Sequence, residues 1–329
     1  MIRIISFTKN GHEINEKIVR LSKDIEGYGE GESLKERSIG AKEWTGKAFE
    51  ECDGIIFIGA VGIAVRMIAP YIRGKDIDPA VVVCDEKGKY AIPILSGHIG
   101  GANRLAERIA EMIGAECIIT TATDINDVFA VDSWAYERGY VIEDIGKIKF
   151  ISSALIKGEK VGLKSFFEVQ GNLPENVVYG ENFENGIVIS PFAEDIFKNT
   201  VSVVPKCVVL GVGSRKNADK DSLIKLFEKT GISKNAVNCV STIDIKENEA
   251  AVLELCKYLG VGISVYSAEE LENVKGDFSS SEFVKKVTGI DNVCERACVR
   301  ESGGEMIMRK TVGDGVTMAA SVKKEVIGF

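Results

Sequence analysis

His98 is one of only two histidines in the chain, and it sits in the run Ser96-Gly97-His98-Ile99-Gly100-Gly101. Imidazole titrates near neutral pH, so a histidine beside a ligand serves as general base or acid. Glycines let the backbone take positive φ and approach a ligand closely. The first turn of a following helix offers unpaired N–H groups and the positive end of its dipole. The six residues therefore read as an anion cradle carrying an acid–base group. The plainer reading is a tight strand-to-helix connection whose histidine caps a neighbour. The run lacks GxxxxGK[ST], which excludes a nucleoside-triphosphate P-loop, and Ser96 lacks the flanking glycines of a GxSxG elbow.

The elements that must hold this run are legible on both sides of it. Ala91 to Leu95 is an apolar run with the look of a buried strand. After the loop, Leu105, Ile109, Met112 and Ile113 repeat at helical spacing, with Arg104, Glu107, Arg108 and Glu111 on the other side. Cys117 to Ile119 is the next strand, and it runs into Thr120-Thr121-Ala122-Thr123-Asp124. Hydroxyls at the carboxyl end of a parallel strand fall where open α/β sheets bind ligands. Equally, Asp124 or Thr123 caps a helix begun by Ile125.

Upstream, Ile55 to Ile58 is a buried strand, and Gly59-Ala60-Val61-Gly62 leads into a helix ended by Pro70. This is a second strand, glycine loop and helix. Arg66 falls about one turn into that helix, where it either brings a cation near the loop or faces solvent. Ala80 to Cys84 and Lys89 to Leu95, joined by Asp85-Glu86-Lys87-Gly88, form a β-hairpin pattern. At the start of the chain, Ile2 to Phe7 is a strand, and Gly11 to Leu21 a helix with Ile14, Ile18 and Leu21 on one face. His12 at its start reads as a solvated turn histidine. Residues 27–46 are polar and glycine-rich and read as irregular, until a short helix from Trp44 to Glu51.

From about residue 141 to 205, short β-like runs alternate with Gly, Asn and Pro turns: Lys149 to Ile151, Lys160 to Leu163, and Gly186 to Ser190. Lys206 to Leu210 opens a new α/β unit that continues through Gly211-Val212-Gly213-Ser214-Arg215-Lys216 into a helix from Asp219 to Thr230. Lys216 occupies the third glycine position of GxGxxG, and no acidic residue ends an evident second strand, so a dinucleotide site is disfavoured. Arg215 and Lys216 suit a carboxylate or phosphate. Strands at Val237 to Ile243 and Ile263 to Tyr266, with helices from Asp244 to Leu259 and Ser267 to Leu271, and a final hairpin (Met306 to Thr311, Val316 to Ala320) follow. The expected fold class is α/β: N-terminal (1–140) and C-terminal (206–329) lobes with glycine-rich loops, joined by a small β-rich middle region (141–205).

Composition narrows the function classes. The 329 residues carry a net charge of −8, which argues against a general nucleic-acid binder because a phosphate backbone needs a basic face. No apolar run reaches membrane-spanning length, and MIRIISFTKNG lacks a basic n-region and cleavage site, so a cytoplasmic protein is expected. The eight cysteines lie mostly in or beside apolar runs without a CxxC pair and read as reduced, buried thiols. Cys294 and Cys298, four apart without a nearby His, make a poor metal site, so none is expected.

Several stretches share one resemblance. GAVGIAVRMIAPYI, DPAVVVCDEKGKYAIPILSGHIGGANRLAERIA and ITTATD are similar, in that order and spacing, to the N-terminal domain of the CbiG family, the cobalt-precorrin-5A hydrolases of anaerobic cobalamin synthesis. GVGSRKNA, STIDIKENEAAVLELCKYLGV, FSSSEFVKKVTGIDNVCERACV and MIMRKTVGDGVTMAAS resemble the family's C-terminal domain, which is related to CobE. The chain departs from the family at Ser214, where many members read GxGCR. Serine is a far weaker nucleophile without an adjacent base, which argues that this position is not the catalytic centre.

The resemblance implies that water opens the ring A δ-lactone of cobalt-precorrin-5A and that acetaldehyde leaves, giving cobalt-precorrin-5B. Cobalt then belongs to the substrate, and no protein cofactor is implied. Such chemistry needs a base, oxyanion donors and a group to manage the departing fragment. On this reading His98 is base or acid, with amides around Gly100 and Gly101 as oxyanion donors. Ser96, Thr120, Thr121 and Asp124 orient His98 or water. Arg66, Arg104, Arg215 and Lys216 take the peripheral carboxylates, with Gly59, Gly62, Gly97, Asn103, Gly211, Gly213 and Ser214 lining the ligand. The implied partners are the precorrin, other enzymes of the pathway and a second copy in a homodimer. Two other classes stay open: a corrinoid carrier without chemistry of its own, and a nucleotide-dependent α/β enzyme.

Overall fold

Ile2–Ser6 (β1), Gly54–Ile58 (β3) and Ala80–Cys84 (β4) are short runs rich in β-branched residues, and β3 and β4 are buried along their whole length. Strands covered on both faces need such uniform apolarity. In the computed structural model, which describes residues 1–22, 28–33, 40–74, 77–98, 100–121, 125–126 and 128–329, they form the middle of a six-stranded sheet. Tyr28–Ser33 (β2), Tyr90–Leu95 (β5) and Glu116–Cys117 (β6) complete it in the order β2-β1-β3-β4-β5-β6. Residues 28–33, expected to be irregular, are thus the parallel neighbour of β1.

Helices cover both faces of this sheet. Lys9–Leu21 (α1) and Ala102–Ile113 (α4) share a core with Ile4, Ile56, Val82 and Ala91, while Ala41–Glu51 (α2) and Val61–Ile68 (α3) pack with Ile5, Phe57, Val81 and Val83. Alternate residues of each strand feed opposite cores, as the two-residue period of a strand requires. The α4 stripe is the expected one: Leu105, Ile109 and Ile113 are buried. The α1 stripe differs, because Leu21 is 43% exposed at the last helical position. Asn15 takes the inward place instead, its amide bonded to Ser6 Oγ at 3.3 Å.

Strand direction reverses between β4 and β5. Ile58 pairs with Cys84, and Cys84 with Ala91, at one end of the strands; Gly54 pairs with Ala80, and Val81 with Leu95, at the other. The hairpin turn is held by Asp85, whose carboxylate accepts from the amides of Lys87, Lys89 and Tyr90.

The chain divides into two compact units, Met1–Ser133 and Trp134–Phe329. Val131–Glu137 (α5) carries the boundary. In the second unit, Val141–Ile142 (β7), Val161–Ser165 (β8), Val177–Tyr179 (β10), Asn185–Ile189 (β11) and Asn199–Val204 (β12) form a sheet in the order β10-β8-β11-β12-β7. Lys149 to Ile151, expected to be strand-like, lies instead in the helix Ile148–Ile156 (α6). Its buried Ile148, Ile151, Ala154 and Leu155 follow helical spacing, which three residues alone do not reveal. Glu168–Gln170 (β9) pairs with the terminal strand Val326–Gly328 (β18), and the ring of Phe329 stacks on Trp134 at 4.7 Å.

A third sheet runs β15-β14-β13-β17-β16, built from Val208–Ser214 (β13), Val237–Ile243 (β14), Gly262–Tyr266 (β15), Glu305–Gly313 (β16) and Val316–Val322 (β17). The expected hairpin is β16–β17. Its helices are Ser222–Phe227 (α7), shorter than expected, Ala250–Leu259 (α8), Ala268–Glu272 (α9), Glu282–Thr288 (α10) and Cys294–Ser302 (α11). Residues 244–246, expected to begin one long helix, form a separate single turn of 3-10 helix before α8. Among the described residues, no helix is long and apolar enough to cross a membrane.

Candidate functional site

The loop after β5 folds on itself before α4 begins. Gly101, with φ of 79°, caps the helix, and its N–H donates to the His98 carbonyl at 2.8 Å. The amides of Ala102 and Asn103 donate to the carbonyls of Ser96 and Gly97, each at 3.0 Å. Ser96 adopts φ of 56°, a left-handed conformation unusual for serine. A Cβ on Gly100 would lie 2.3 Å from Ser96 Cβ and 2.9 Å from Ser96 O, so only glycine closes this turn. Because three amides serve the loop itself, Gly100 rather than Gly101 remains the candidate oxyanion donor.

His98 is brought against the start of α5. Its Nδ1 lies 2.8 Å from Ser133 Oγ and 3.3 Å from Asp132 Oδ1. Both side chains of this contact are sheltered, with His98 and Asp132 only 12% and 14% exposed. A carboxylate accepts hydrogen bonds and donates none, whereas the Ser133 hydroxyl can do either, so the Asp132 contact suits the tautomer with its proton on Nδ1 and Nε2 as the basic nitrogen. A carboxylate in this position can stabilise an imidazolium. Asp132 and Ser133 are 34 and 35 positions from His98, and no short motif joins them; a sequence scan centred on the glycine loop misses both.

Other expected residues gather at this end of the sheet. Asn103 Nδ2 donates to Thr121 Oγ1 at 3.2 Å, tying the first turn of α4 to the segment after β6. The Ser96 hydroxyl is buried without a hydrogen-bond partner among the described residues. Arg104 and Thr120 are exposed. Asp124 lies outside the described residues.

The second glycine loop lies elsewhere. Gly59 follows Ile58 and donates its N–H to Cys84 O, whereas Ser96 follows Leu95, which pairs with Val81. Three to four residues of strand, roughly 10–13 Å, separate the two ends. Gly59, Gly62 and Arg66 are therefore at the opposite end of the strands from His98. Arg66 is in the last turn of α3 and reaches back to the Gly62 carbonyl at 3.5 Å. Side chains of a helix lean toward its N-terminus, which accounts for that direction.

The C-terminal glycine loop is divided in purpose. At Gly211 a Cβ would lie 1.8 Å from Cys294 O, so this glycine permits α11 to press on β13. At Gly213 a Cβ would lie 2.7 Å from Thr317 Oγ1. Gly213, Ser214, Arg215 and Lys216 line a cavity of about 550 Å³ within the second unit, joined there by Lys246 and Lys310. The Ser214 hydroxyl is buried without a partner among the described residues. Cys294 and Cys298 are buried, and desolvation pushes their thiols up to about 11 and about 12. Thiols held protonated are poor nucleophiles and poor metal ligands. All eight cysteines are free thiols.

Comparison with known proteins agrees with the reading of both halves. A family described as "Cobalamin synthesis G N-terminal" matches residues 43–124, and one described as "Cobalamin synthesis G C-terminus" matches residues 208–321. The chain is 31% identical over 293 residues to the cobalt-precorrin-5A hydrolase of Salmonella typhimurium, covering 84% of each chain. It is 29% identical over 351 residues to the protein of that name from Priestia megaterium, covering 96% of this chain and 94% of the relative. It is also 28% identical over 119 residues to Protein CobE of a Sinorhizobium species, covering 34% of this chain and 77% of that one.

Proposed function

The chain belongs to the CbiG family of cobalamin synthesis, and on that premise we propose that it is a cobalt-precorrin-5A hydrolase with His98 as its acid–base group. The observation that carries the assignment of His98 is its Nδ1 contact with Asp132 and Ser133, 3.3 and 2.8 Å away. Such a contact orients the ring and supports a charge on it, both of which a general base requires.

In the reaction, Nε2 of His98 takes a proton from water as the oxygen attacks the lactone carbonyl carbon. The Gly100 amide faces the oxyanion, and collapse breaks the ring C–O bond to leave a carboxylate and an alcohol. The alcohol loses its proton as its oxygen becomes the carbonyl of acetaldehyde. The C–C bond to the macrocycle breaks, and the macrocycle keeps the electron pair and gains a proton. One water enters and one acetaldehyde leaves. Cobalt enters and leaves with the substrate, and no protein side chain is assigned to it.

Asn103 and Thr121 hold the loop and the β6 segment together, and Arg104 offers a cation to a peripheral carboxylate. Arg66 has no part in this centre, because its loop is at the other end of the strands. The proposal places the protein in the cytoplasm, with its unstable substrate and product exchanged with neighbouring pathway enzymes. Incubating the purified chain with cobalt-precorrin-5A under anaerobic conditions and assaying acetaldehyde tests the reading. One acetaldehyde per macrocycle supports it; macrocycle binding without acetaldehyde makes the protein a carrier instead.

A further inference from the structure

The helix α5, Val131–Glu137, has only 7 residues. A helix of about two turns is not stable on its own in water, so its place is set by what its side chains pack against. Two of its residues, Asp132 and Ser133, meet His98 Nδ1. The next residue, Trp134, is the largest side chain of the helix and only 6% exposed. Phe329 lies flat on the Trp134 ring, with centroids 4.7 Å apart and planes 7° from parallel. The indole Nε1–H donates to the Gly328 carbonyl at 3.0 Å, and Tyr140 meets the indole edge-on at 5.7 Å. Tyr140 in turn donates its hydroxyl to Glu325 at 2.7 Å. The segment behind these contacts is itself held: Val326–Gly328 (β18) pairs with Glu168–Gln170 (β9), and Ile327 is fully buried.

We propose that Trp134 and Phe329 are positioning residues for His98: the ring stack and the bond to Gly328 seat α5, and α5 then holds the Asp132 carboxylate and the Ser133 hydroxyl against Nδ1. Ser133 and Trp134 are adjacent in one helix, so a slide or roll of α5 at the indole carries Asp132 and Ser133 with it. A displacement of about 1 Å takes the shorter of the two contacts out of hydrogen-bond range. Misplacement on that scale, made away from the reacting atoms, can cost about a hundredfold in rate. The inference rests on His98 being the acid–base group, but the state of its ring can be read without turnover.

The chain has two histidines, so in a His12→Gln background the 15N spectrum of labelled imidazole belongs to His98 alone. With the ring neutral, the Nδ1–H tautomer is expected in that background. Phe329→Ala should turn it into a mixture of both tautomers. It should also lower kcat for acetaldehyde release at least about tenfold, with KM changed less than about threefold. Phe329→Tyr, which restores a stacking ring, should return both readings to wild type. If Phe329→Ala fails to fold, Trp134→Phe takes its place: it keeps a ring in the stack, loses the bond to Gly328, and should move the tautomer the same way. An unchanged tautomer in the folded variant overturns the proposal whatever happens to activity, because the stack then only stabilises the fold. So does a change that Phe329→Tyr fails to reverse. A changed tautomer beside a wild type that releases no acetaldehyde keeps the positioning role and removes the hydrolase reading instead.

Discussion

The Asp132 carboxylate stands 3.3 Å from His98 Nδ1, on the side of the ring away from the nitrogen assigned to proton transfer. Replacing it by asparagine keeps the shape but lets an amide donate to Nδ1, which favours the wrong tautomer. Asp132→Asn should lower kcat by at least about tenfold while KM changes less than about threefold. Ser133→Ala, which removes the 2.8 Å contact and leaves the charge, should have the smaller effect. Steady-state kinetics of both variants decide the order; equal kcat values in Asp132→Asn and wild type would remove Asp132 from the centre.

Gly100 should tolerate no side chain without movement of the loop. An alanine Cβ would meet Ser96 Cβ at 2.3 Å, and overpacking of this kind costs about 1–3 kcal/mol. Gly100→Ala should therefore lose activity while the chain stays folded, since the disturbed residues are on a half-exposed loop. Circular dichroism beside the acetaldehyde assay measures both; full activity would show that the loop closure is not needed.

At Gly211 the outcome should be structural. Here the Cβ meets the carbonyl oxygen of Cys294 at 1.8 Å, and both partners are main chain of buried elements. Gly211→Ala should cost more than about 3 kcal/mol, read as a lowered urea midpoint or an insoluble product. A midpoint equal to wild type would mean that α11 is free to move off β13.

Alkaline pH should weaken the fold. Burial pushes the thiols of Cys84, Cys207 and Cys298 up to about 12 and that of Cys294 up to about 11. In the unfolded chain they ionise near pH 8.5, so above that pH the unfolded state binds fewer protons than the folded one. The stabilisation is complete below about pH 8.5 and is lost as pH rises toward the folded values, by up to about 1.4 kcal/mol per pH unit for each thiol. Urea midpoints between pH 8 and 10.5 should fall steadily; a flat profile would mean that these thiols are solvated.

Much of the first unit could be read from local pattern. β1, β3, β4 and α4 have apolar periods strong enough to stand alone, and the Asp85 turn announces its hairpin. What could not be read is long-range. Leu95 pairs with Val81 and not with Cys84, and that register moves Gly59 and Arg66 away from His98, although both loops look alike as sequence. Asp132 and Ser133 reach His98 only through tertiary structure, as do Lys246 and Lys310 at the cavity of Arg215. Residues 149–151 misled because three apolar or amphipathic residues suit a strand as well as a helix turn.

The central claim is that His98 moves the protons of lactone opening, and the His98→Ala variant tests it most directly. Purified variant and wild type would be given cobalt-precorrin-5A anaerobically, and acetaldehyde release timed. The account predicts that the variant's rate falls by about a hundredfold or more, as loss of a general base does, while the macrocycle still binds. Acetaldehyde released by His98→Ala at the wild-type rate would contradict it.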